Sequence, residues 1–420
     1  MINFLIVAIK FIFLLGFLVL IHEGGHFIVA KLCKVRVHDF AIGFGPAIIK
    51  KRIGETLYTL RLIPLGGFVR MEGEEEASDD EASFSQKSIP QRIAIVMAGG
   101  AVNIIFGLVV YFILVSSAGN YISMNVATVE DGYGAQVAGI MPGDEIVKIN
   151  GKSVHLKSDL EEAIAKSAGN TVTVEVKRNN ELINFEVVPK EKVSKNTGVY
   201  FGASGSKLSS KIKSIYPDSP AEKAGLKKND VIIAVNGQEV NNDPYKAIEL
   251  TQNADADNIK YTIERNGEQI DFEVTPKKVS TYYLGVELAK TNGNFFENMS
   301  YGFWDTVDFS ASILDNLKML FTGKVSADQL MGPIGISGMV ADTNGWFEFV
   351  YLLALISLSL GVTNLLPIPP LDGWKIVVYL IEAIRRKPLD EKTQMNIDAL
   401  GFVFMIALSL YVAYNDILRL

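Results

Sequence analysis

Two histidines and a glutamate within five residues form the strongest chemical signal in this sequence. The stretch His22-Glu23-Gly24-Gly25-His26 matches the pattern HExxH. On a helix, residues four positions apart lie on the same face, so both imidazoles can bind one zinc ion. Glu23 is placed to take a proton from a water molecule that the metal polarises. We therefore expect His22 and His26 to be zinc ligands and Glu23 to be the catalytic base of a hydrolase.

A hydrolytic zinc site needs a third protein ligand and one open position. The other histidines are His38 and His155, and Cys33 is the single cysteine. Asp372 is the best acidic candidate, because it follows an apolar stretch and the prolines of residues 367–370. Prolines break a helix and allow irregular backbone to line a polar cavity. We expect Asp372 to complete a site for one Zn²⁺ per chain, with His38 as the alternative.

The composition predicts a chain with both membrane and aqueous parts. Of the 420 residues, 49% are apolar and 21% are charged, and the mean hydropathy is +0.23. About 20 apolar residues are needed to cross a bilayer. Transmembrane segments are therefore predicted at 1–30, 93–118, 346–384 and 396–418. Reading the first segment as a cleaved signal peptide is less favoured, because it lacks a basic start and runs directly into HEGGH.

The charge pattern predicts an orientation for these segments. The loop after the first segment carries eight Lys and Arg residues between positions 31 and 70, and residues 385–392 carry four more. Positive residues favour the cytoplasmic side, so residues 119–345 are expected in the periplasm. The net charge of -7 argues against nucleic acid as a partner.

The first loop, residues 31–92, shows a strand signal. Tyr58, Leu60 and Leu62 alternate with polar residues, and glycines and prolines punctuate residues 35–70. This pattern favours a small hairpin or sheet near the end of the first membrane segment. The acidic run at 72–81 is interpreted as a solvated segment.

The aqueous region contains an internal repeat. Residues 138–154 align with residues 224–240 at a shift of 86, and both copies end in an Asn-Gly turn. Two copies at this spacing indicate a domain duplication. The shared A-G-Φ-x-x-x-D-x-I-x-x-Φ-N-G pattern resembles PDZ domains, expected at 121–206 and 207–290. Residues 291–345 are then a linker or amphipathic segment.

Taken together, these motifs resemble the site-2 proteases, which are intramembrane zinc metalloproteases, and among them the bacterial members with tandem PDZ domains. HEGGH, GFGP, PLGGFVRM, MGPIGIS and NLLPIPPLDG carry the resemblance along nearly the whole chain. It implies a polytopic α-helical membrane protein with four transmembrane helices, a small membrane-associated β hairpin or sheet, and two α+β PDZ domains. One departure is Trp374, where the family usually has a second glycine.

The resemblance also implies roles for individual residues. His22, His26 and Asp372 are the zinc ligands and Glu23 is the base. Asn364 is expected to contact the substrate or the developing oxyanion. A substrate strand is expected to pair with the hairpin near Gly66, Gly67 and Phe68.

The resemblance further implies a biological setting. The expected activity is cleavage within transmembrane segments of single-span proteins, such as an anti-sigma factor after a first periplasmic cut, or leftover signal peptides. This cleavage would activate an extracytoplasmic stress response. The protein is expected to be a monomer in the bacterial inner membrane, with its active site near the cytoplasmic side and its PDZ pair filtering substrates.

Two other functions compete with proteolysis. A membrane scaffold that only binds peptides would be expected to have lost part of the metal motif. A zinc transporter or sensor would need more metal ligands along its membrane segments. The intact HEGGH and Asp372 disfavour the first, and the lack of further ligand residues in the apolar segments disfavours the second.

Overall fold

The computed structural model describes residues 2–74, 78–119, 121–204, 207–254, 257–291, 293–322, 331–343, 345–387 and 389–418. Part of the acidic run, residues 75–77, lies outside them. The chain divides into two compact units, Met1–Gly119 with Phe295–Leu420, and Asn120–Asn294.

The helices in the described residues are α1 (Ile2–Leu32), α2 (Ile89–Ala118), α3 (Gly134–Ala138), α4 (Lys157–Ser167), α5 (Pro220–Ala224), α6 (Pro244–Gln252), α7 (Phe295–Phe321), α8 (Pro333–Asp342), α9 (Trp346–Asn364), α10 (Asp372–Arg385) and α11 (Glu391–Leu418). The strands are β1 (Val37–Ile53), β2 (Thr56–Met71), β3 (Ile122–Val129), β4 (Glu145–Ile149), β5 (Lys152–Ser153), β6 (Val172–Arg178), β7 (Glu181–Val187), β8 (Lys190–Asn196), β9 (Val199–Ser204), β10 (Lys207–Ile215), β11 (Val231–Val235), β12 (Gln238–Glu239), β13 (Ile259–Arg265), β14 (Glu268–Val274), β15 (Lys277–Tyr283) and β16 (Val286–Lys290).

Within the described residues, four helices are long and apolar enough to cross a membrane. They cover Leu5–Leu32, Ile89–Ala118, Trp346–Asn364 and Lys392–Leu418. The predicted third segment, 346–384, is corrected in one respect. Helix α9 ends at Asn364 and a separate helix, α10, begins at Asp372, because the intervening prolines cannot continue a helix. The predicted linker at 291–345 is also more regular than expected, because it contains α7 and α8.

Small residues allow α2 and α9 to pack closely. A Cβ atom on Gly361 would lie 2.6 Å from the carbonyl oxygen of Gly100. A Cβ on Gly107 would lie 2.8 Å from the carbonyl oxygen of Ala354. Because lipid gives apolar side chains little reason to associate, such close backbone contact is what holds membrane helices together. This packing fixes α2, which in turn contacts α1 and α10.

The first loop forms a sheet from β1 and β2. Residues 39–42 of β1 pair on one side with 67–70 of β2 and on the other with 57–60. Residues 47–53 pair with 56–61 to close the hairpin. The segment 67–71 therefore pairs with β1 through one of its two edges. Val69 and Met71 pack into a hydrophobic cluster with Ile95 and Val378, which fixes this segment against α2 and α10.

The second unit contains two sheets of similar design. The first has the strand order β16-β3-β4-β6-β7, with β5 on β4. The second has the order β14-β13-β11-β10-β9, with β12 on β11. Strands β8 and β15 form a separate two-stranded ribbon. Each sheet has its own hydrophobic core, built around Ile146 and Ile149 in the first and Ile232 and Val235 in the second.

The last strand of each repeat completes the sheet of the other repeat. Strand β9 pairs with β10, and β16 pairs with β3. The boundary expected between 206 and 207 is therefore wrong for the sheets: 199–204 belongs with the second core and 286–290 with the first. Only residues 205 and 206 separate β9 from β10, so a short hairpin forms locally at small entropic cost. Strand β16 then fills the remaining edge of β3.

Candidate metal centre and active site

Helices α1 and α10 bring the three expected ligand residues together. Nε2 of His22 and Nε2 of His26 lie 3.2 Å apart. Oδ2 of Asp372 lies 3.2 Å from the first and 3.3 Å from the second. A tetrahedron with bonds of about 2.0 Å has edges of about 3.3 Å, the length that ligands on a zinc ion require. The three atoms therefore form one face of a coordination tetrahedron and leave its fourth corner open.

The hydrogen bonding of these groups also fits a metal site. Oδ2 of Asp372 is buried without a hydrogen-bond partner among the described residues. Such an orphaned oxygen is rare in folded proteins unless something else binds it. In the described part of the chain, His22, His26 and Asp372 are also the one group of three such residues whose ligand atoms converge.

The environment of His26 determines which of its nitrogens is free. Nδ1 lies 2.9 Å from the carbonyl oxygen of Ile95 in α2. A carbonyl oxygen only accepts, so Nδ1 carries the hydrogen and the neutral ring presents the lone pair of Nε2 to the site. Hydrogen bonds of this kind orient metal-binding imidazoles and make them better ligands.

Asn103 has the equivalent position beside His22. Its amide nitrogen lies 3.4 Å from Nδ1 of His22, and its Oδ1 is buried without a hydrogen-bond partner in the described part of the chain. Turning the amide by 180° about its last side-chain bond lets Oδ1 accept a hydrogen from Nδ1. Oδ1 then has a donor, and Nε2 of His22 is free to bind a metal. Asn103 is the only strongly polar interior side chain of the second apolar segment, and this is the sequence feature that could have indicated its position beside His22.

Glycines keep the space around the imidazoles open. A Cβ atom on Gly99 would lie 2.3 Å from Nε2 of His26 and 2.8 Å from Cε1 of His22. A Cβ on Gly25 would lie 2.5 Å from the carbonyl oxygen of Ala98. Side chains at these positions would displace the ligands or separate α1 from α2. Gly99 and Gly25 are therefore part of the site, although neither has a side chain to contribute.

The ligands face a cavity of about 190 Å³. Its walls also include Glu23, residues 67–69 and 71 of β2, and Val96. Two charged residues that sequence reasoning did not place there, Glu74 and Lys375, complete the lining. A Cβ on Gly67 would lie 3.1 Å from Cγ of Glu23, so the strand segment passes directly against the expected base.

Other expected site residues have different positions. Gly66 has a φ of 85° and lies against the ring of Phe44, whereas Gly67 and Phe68 line the cavity. Asn364 is half-buried at the end of α9 and is not among the described residues that line the cavity. Its oxyanion role stays a prediction.

The alternative ligand and the unusual residue of the motif also lie apart from the cluster. Nε2 of His38 is 2.6 Å from Oε2 of Glu72, in the loop that follows β2. Trp374 packs against the hydrophobic cluster around Val378. The large side chain thus points into a protein core, and the ligand atoms keep their spacing.

Three converging ligand atoms, an adjacent carboxylate and four membrane-length helices define a metal-dependent hydrolase of the membrane. A protein-family model described as peptidase family M50 matches residues 10–408. The chain belongs to peptidase family M50. It is a zinc metalloprotease and an integral protein of the inner membrane.

Curated relatives cover the whole chain. The regulator of sigma E protease of Haemophilus influenzae is 30% identical over 441 residues, covering 98% of this chain and 98% of that protein. The zinc metalloprotease RasP of Geobacillus kaustophilus is 30% identical over 434 residues, covering 97% of each chain. A crystal structure of the HtrA3 PDZ domain with a phage-derived ligand covers 22% of this chain and 93% of that one, at 18% identity and a TM-score of 0.19.

Proposed function

We propose that this protein is an intramembrane endopeptidase that cuts single-span membrane proteins within their transmembrane segments. The observation that supports this most directly is the shared cavity of Glu23, the three ligand residues and a strand edge. A soluble peptidase would not need such a site beside membrane-length helices. Co-expression with a tagged single-span substrate tests the proposal: wild type should release a shortened product and Glu23→Gln should not. Cleavage that survives in Glu23→Gln would contradict it.

In this proposal His22, His26 and Asp372 hold one zinc ion per chain. When bound, zinc polarises a water molecule and the scissile carbonyl. Glu23 takes the proton of the attacking water and delivers it to the leaving amine. Ile95 and Asn103 hold the two imidazoles in the tautomer that leaves Nε2 unprotonated. Asn364 is proposed to reach the substrate or the oxyanion once a substrate occupies the site.

The strand segment 67–71 is proposed to hold the substrate in an extended form. A transmembrane helix hides its carbonyl groups in its own hydrogen bonds, so it must unwind before water can attack it. An added strand replaces the lost hydrogen bonds by pairing with an open sheet edge. Gly67 and Phe68 line the cavity beside Glu23, which would bring a paired strand to the base.

The proposed biological reaction is the second cut of an anti-sigma factor, after a first cut in the periplasm. The name of the Haemophilus relative, regulator of sigma E protease, supports a role of this kind. Leftover signal peptides are proposed as further substrates. Residues 120–294 would then be periplasmic and the metal site would lie near the cytoplasmic side, as the Lys and Arg distribution favours. Labelling of cysteines introduced at Asn236 and Lys51, in a Cys33→Ser background, tests this orientation.

We propose that residues 120–294 act as a PDZ tandem that filters substrates by size. Each sheet has a groove beside a helix. The first, of about 700 Å³, lies between α4 and β16, and the second, of about 270 Å³, lies beside α6 and β9. Because strands are exchanged between the repeats, removing one repeat would damage both sheets.

The whole unit therefore has to be replaced by a short linker to test the filter. All ligands lie in the other unit, so zinc should remain bound. A filter predicts that the deleted protein cuts long substrates that wild type spares. A recruiting role predicts slower cleavage of trimmed substrate with no gain on long ones.

A further inference from the structure

Lys375 is the one ammonium group among the described residues that line the metal cavity. It follows Asp372 by three positions on α10, so both side chains lie on the same helix face. Its Nζ lies 3.3 Å from Oε1 of Glu74, which follows strand β2. Trp374, the preceding residue, packs against the cluster around Val378 and so anchors this turn of α10.

The ammonium group of Lys375 has more N–H donors than it has acceptors among the described residues. An ammonium group carries three N–H donors, and in the described part of the chain Glu74 accepts from one of them. The side chain is 36% exposed and lines the cavity, so the remaining N–H groups can meet a group that enters it. Glu74 balances the charge, but one carboxylate oxygen does not occupy the remaining N–H groups.

An unwound substrate has the opposite requirement, because its carbonyl oxygens need hydrogen-bond donors. Once a transmembrane helix is extended in the cavity, its carbonyl oxygens have lost their helical donors. Pairing with the edge of residues 67–71 satisfies groups on one side of the extended segment. Carbonyl groups on the other side face the remaining walls, and α10 with Lys375 forms part of those walls.

We propose that Lys375 is a substrate-binding residue that donates a hydrogen bond to a backbone carbonyl of the extended substrate beside the cleaved bond. Glu74 holds the ammonium at the cavity wall. This role rests on the proposed function, and it gives the Trp374-Lys375 departure from the usual motif a purpose: the first residue anchors the helix turn and the second contacts the substrate.

A plain tether is the competing explanation for the same contact. In that case the ion pair only ties the loop after β2 to α10, and the substrate touches neither group. The two explanations differ for the two partners. If the ion pair is only a tether, neutralising either partner should weaken substrate cleavage equally. If Lys375 donates to the substrate, Lys375→Met loses that donor and Glu74→Gln keeps it.

The test uses the purified full-length protein in detergent with one single-span substrate. Wild type, Lys375→Met, Lys375→Arg and Glu74→Gln are compared, with Arg385→Met as control because it removes a cation from the last turn of the same helix. Lys375→Met should raise KM about tenfold with little change in kcat, the size expected for a lost charge-assisted hydrogen bond. Lys375→Arg and Arg385→Met should stay within about twofold of wild type, and Glu74→Gln should lose clearly less than Lys375→Met, because its amide oxygen can still accept from the ammonium.

A second readout does not depend on turnover. In a Glu23→Gln background, titrated photo-cross-linking of the substrate should show the same weakening for Lys375→Met, and bound zinc should stay unchanged. Equal losses in Lys375→Met and Glu74→Gln would replace the proposal with the tether, and no loss in either would overturn it. If wild type itself neither cuts nor cross-links the substrate, the proposed function fails, which is a separate outcome.

Discussion

Two kinds of buried polar cluster in this molecule differ in how fully their hydrogen-bonding groups are used. In the first repeat Asp144 accepts from Nε and Nη2 of Arg178 at 2.6 and 2.7 Å and from the backbone N–H of Met141 at 2.9 Å. The second repeat has the same arrangement around Asp230 and Arg265. At the metal centre, by contrast, the ligand atoms converge on one another, and Oδ2 of Asp372 has no donor in the described residues.

This difference separates structural from functional polar groups. A buried carboxylate whose acceptors are all used stabilises one arrangement of its neighbours and has nothing left to bind. The pairs in the repeats join the strand that carries the Arg to the turn that carries the Asp, so they secure each sheet. The ligand atoms of His22, His26 and Asp372 instead face one another, which is the arrangement that a bound cation requires. Substitutions in the metal cluster should therefore affect zinc binding, and substitutions in the repeats should affect the stability of the sheets.

The largest effect is expected at Asp372. Replacing it by Ala should remove bound zinc and reduce proteolysis to background, because two imidazoles alone hold the metal poorly. The unit Asn120–Asn294 should unfold as in wild type. Zinc content of the purified protein, with a cleavage assay, checks this. Full zinc occupancy and activity would show that Asp372 is not a ligand, and His38 would become the next candidate ligand.

The converse effect is expected at Asp144. Asp144→Ala removes a buried carboxylate together with its hydrogen bonds from Arg178 and from the N–H of Met141, which should destabilise the first sheet by about 1–3 kcal/mol. Zinc content should not change, because the ligands belong to the other unit. Hydrogen exchange of peptides from residues 139–149 measures the loss. Asp271→Ala is the matched control, since Asp271 forms an exposed pair with Lys260 and its loss should destabilise the protein far less than Asp144→Ala does.

The convergence of His22, His26 and Asp372 was predictable from the sequence, whereas the arrangement of the sheets was not. HEGGH and Asp372 are recognisable because zinc chemistry demands particular residue types, and an apolar context makes them stand out. The strand exchange between repeats was not predictable from the repeat, because β9 and β16 hold equivalent positions in its two copies and the repeat does not say which sheet each strand joins. The short connection from β9 to β10 decided between them. Glu74 and Lys375 were missed because their placement depends on how α10 packs against the loop after β2.

A smaller effect is expected at Asn103. Asn103→Leu keeps the size of the side chain but removes the acceptor for Nδ1 of His22, so zinc affinity should fall about 10–100-fold. Competition with a chelator measures this affinity. Ser357→Ala is the control, because its hydroxyl donates to the backbone oxygen of Asn103 at 2.9 Å and touches only helix packing. Equal losses in both variants would mean that Asn103 acts through packing alone.

The smallest effect is a pH dependence confined to the first repeat. Burial alone would raise the pKa of Asp144, but the hydrogen bonds from Arg178 and from the N–H of Met141 outweigh it and hold that pKa below its ordinary value of 3.8. A carboxyl group whose pKa is lower in the folded state contributes stability above its unfolded pKa. That contribution is lost as the pH falls through the folded pKa. Protection of peptides from residues 139–149 against hydrogen exchange, corrected for the intrinsic pH dependence of exchange, should therefore be constant above about pH 5 and decline below pH 4. Asp144→Asn should start with lower protection and lack this decline, and an unchanged decline would assign it to another carboxyl group.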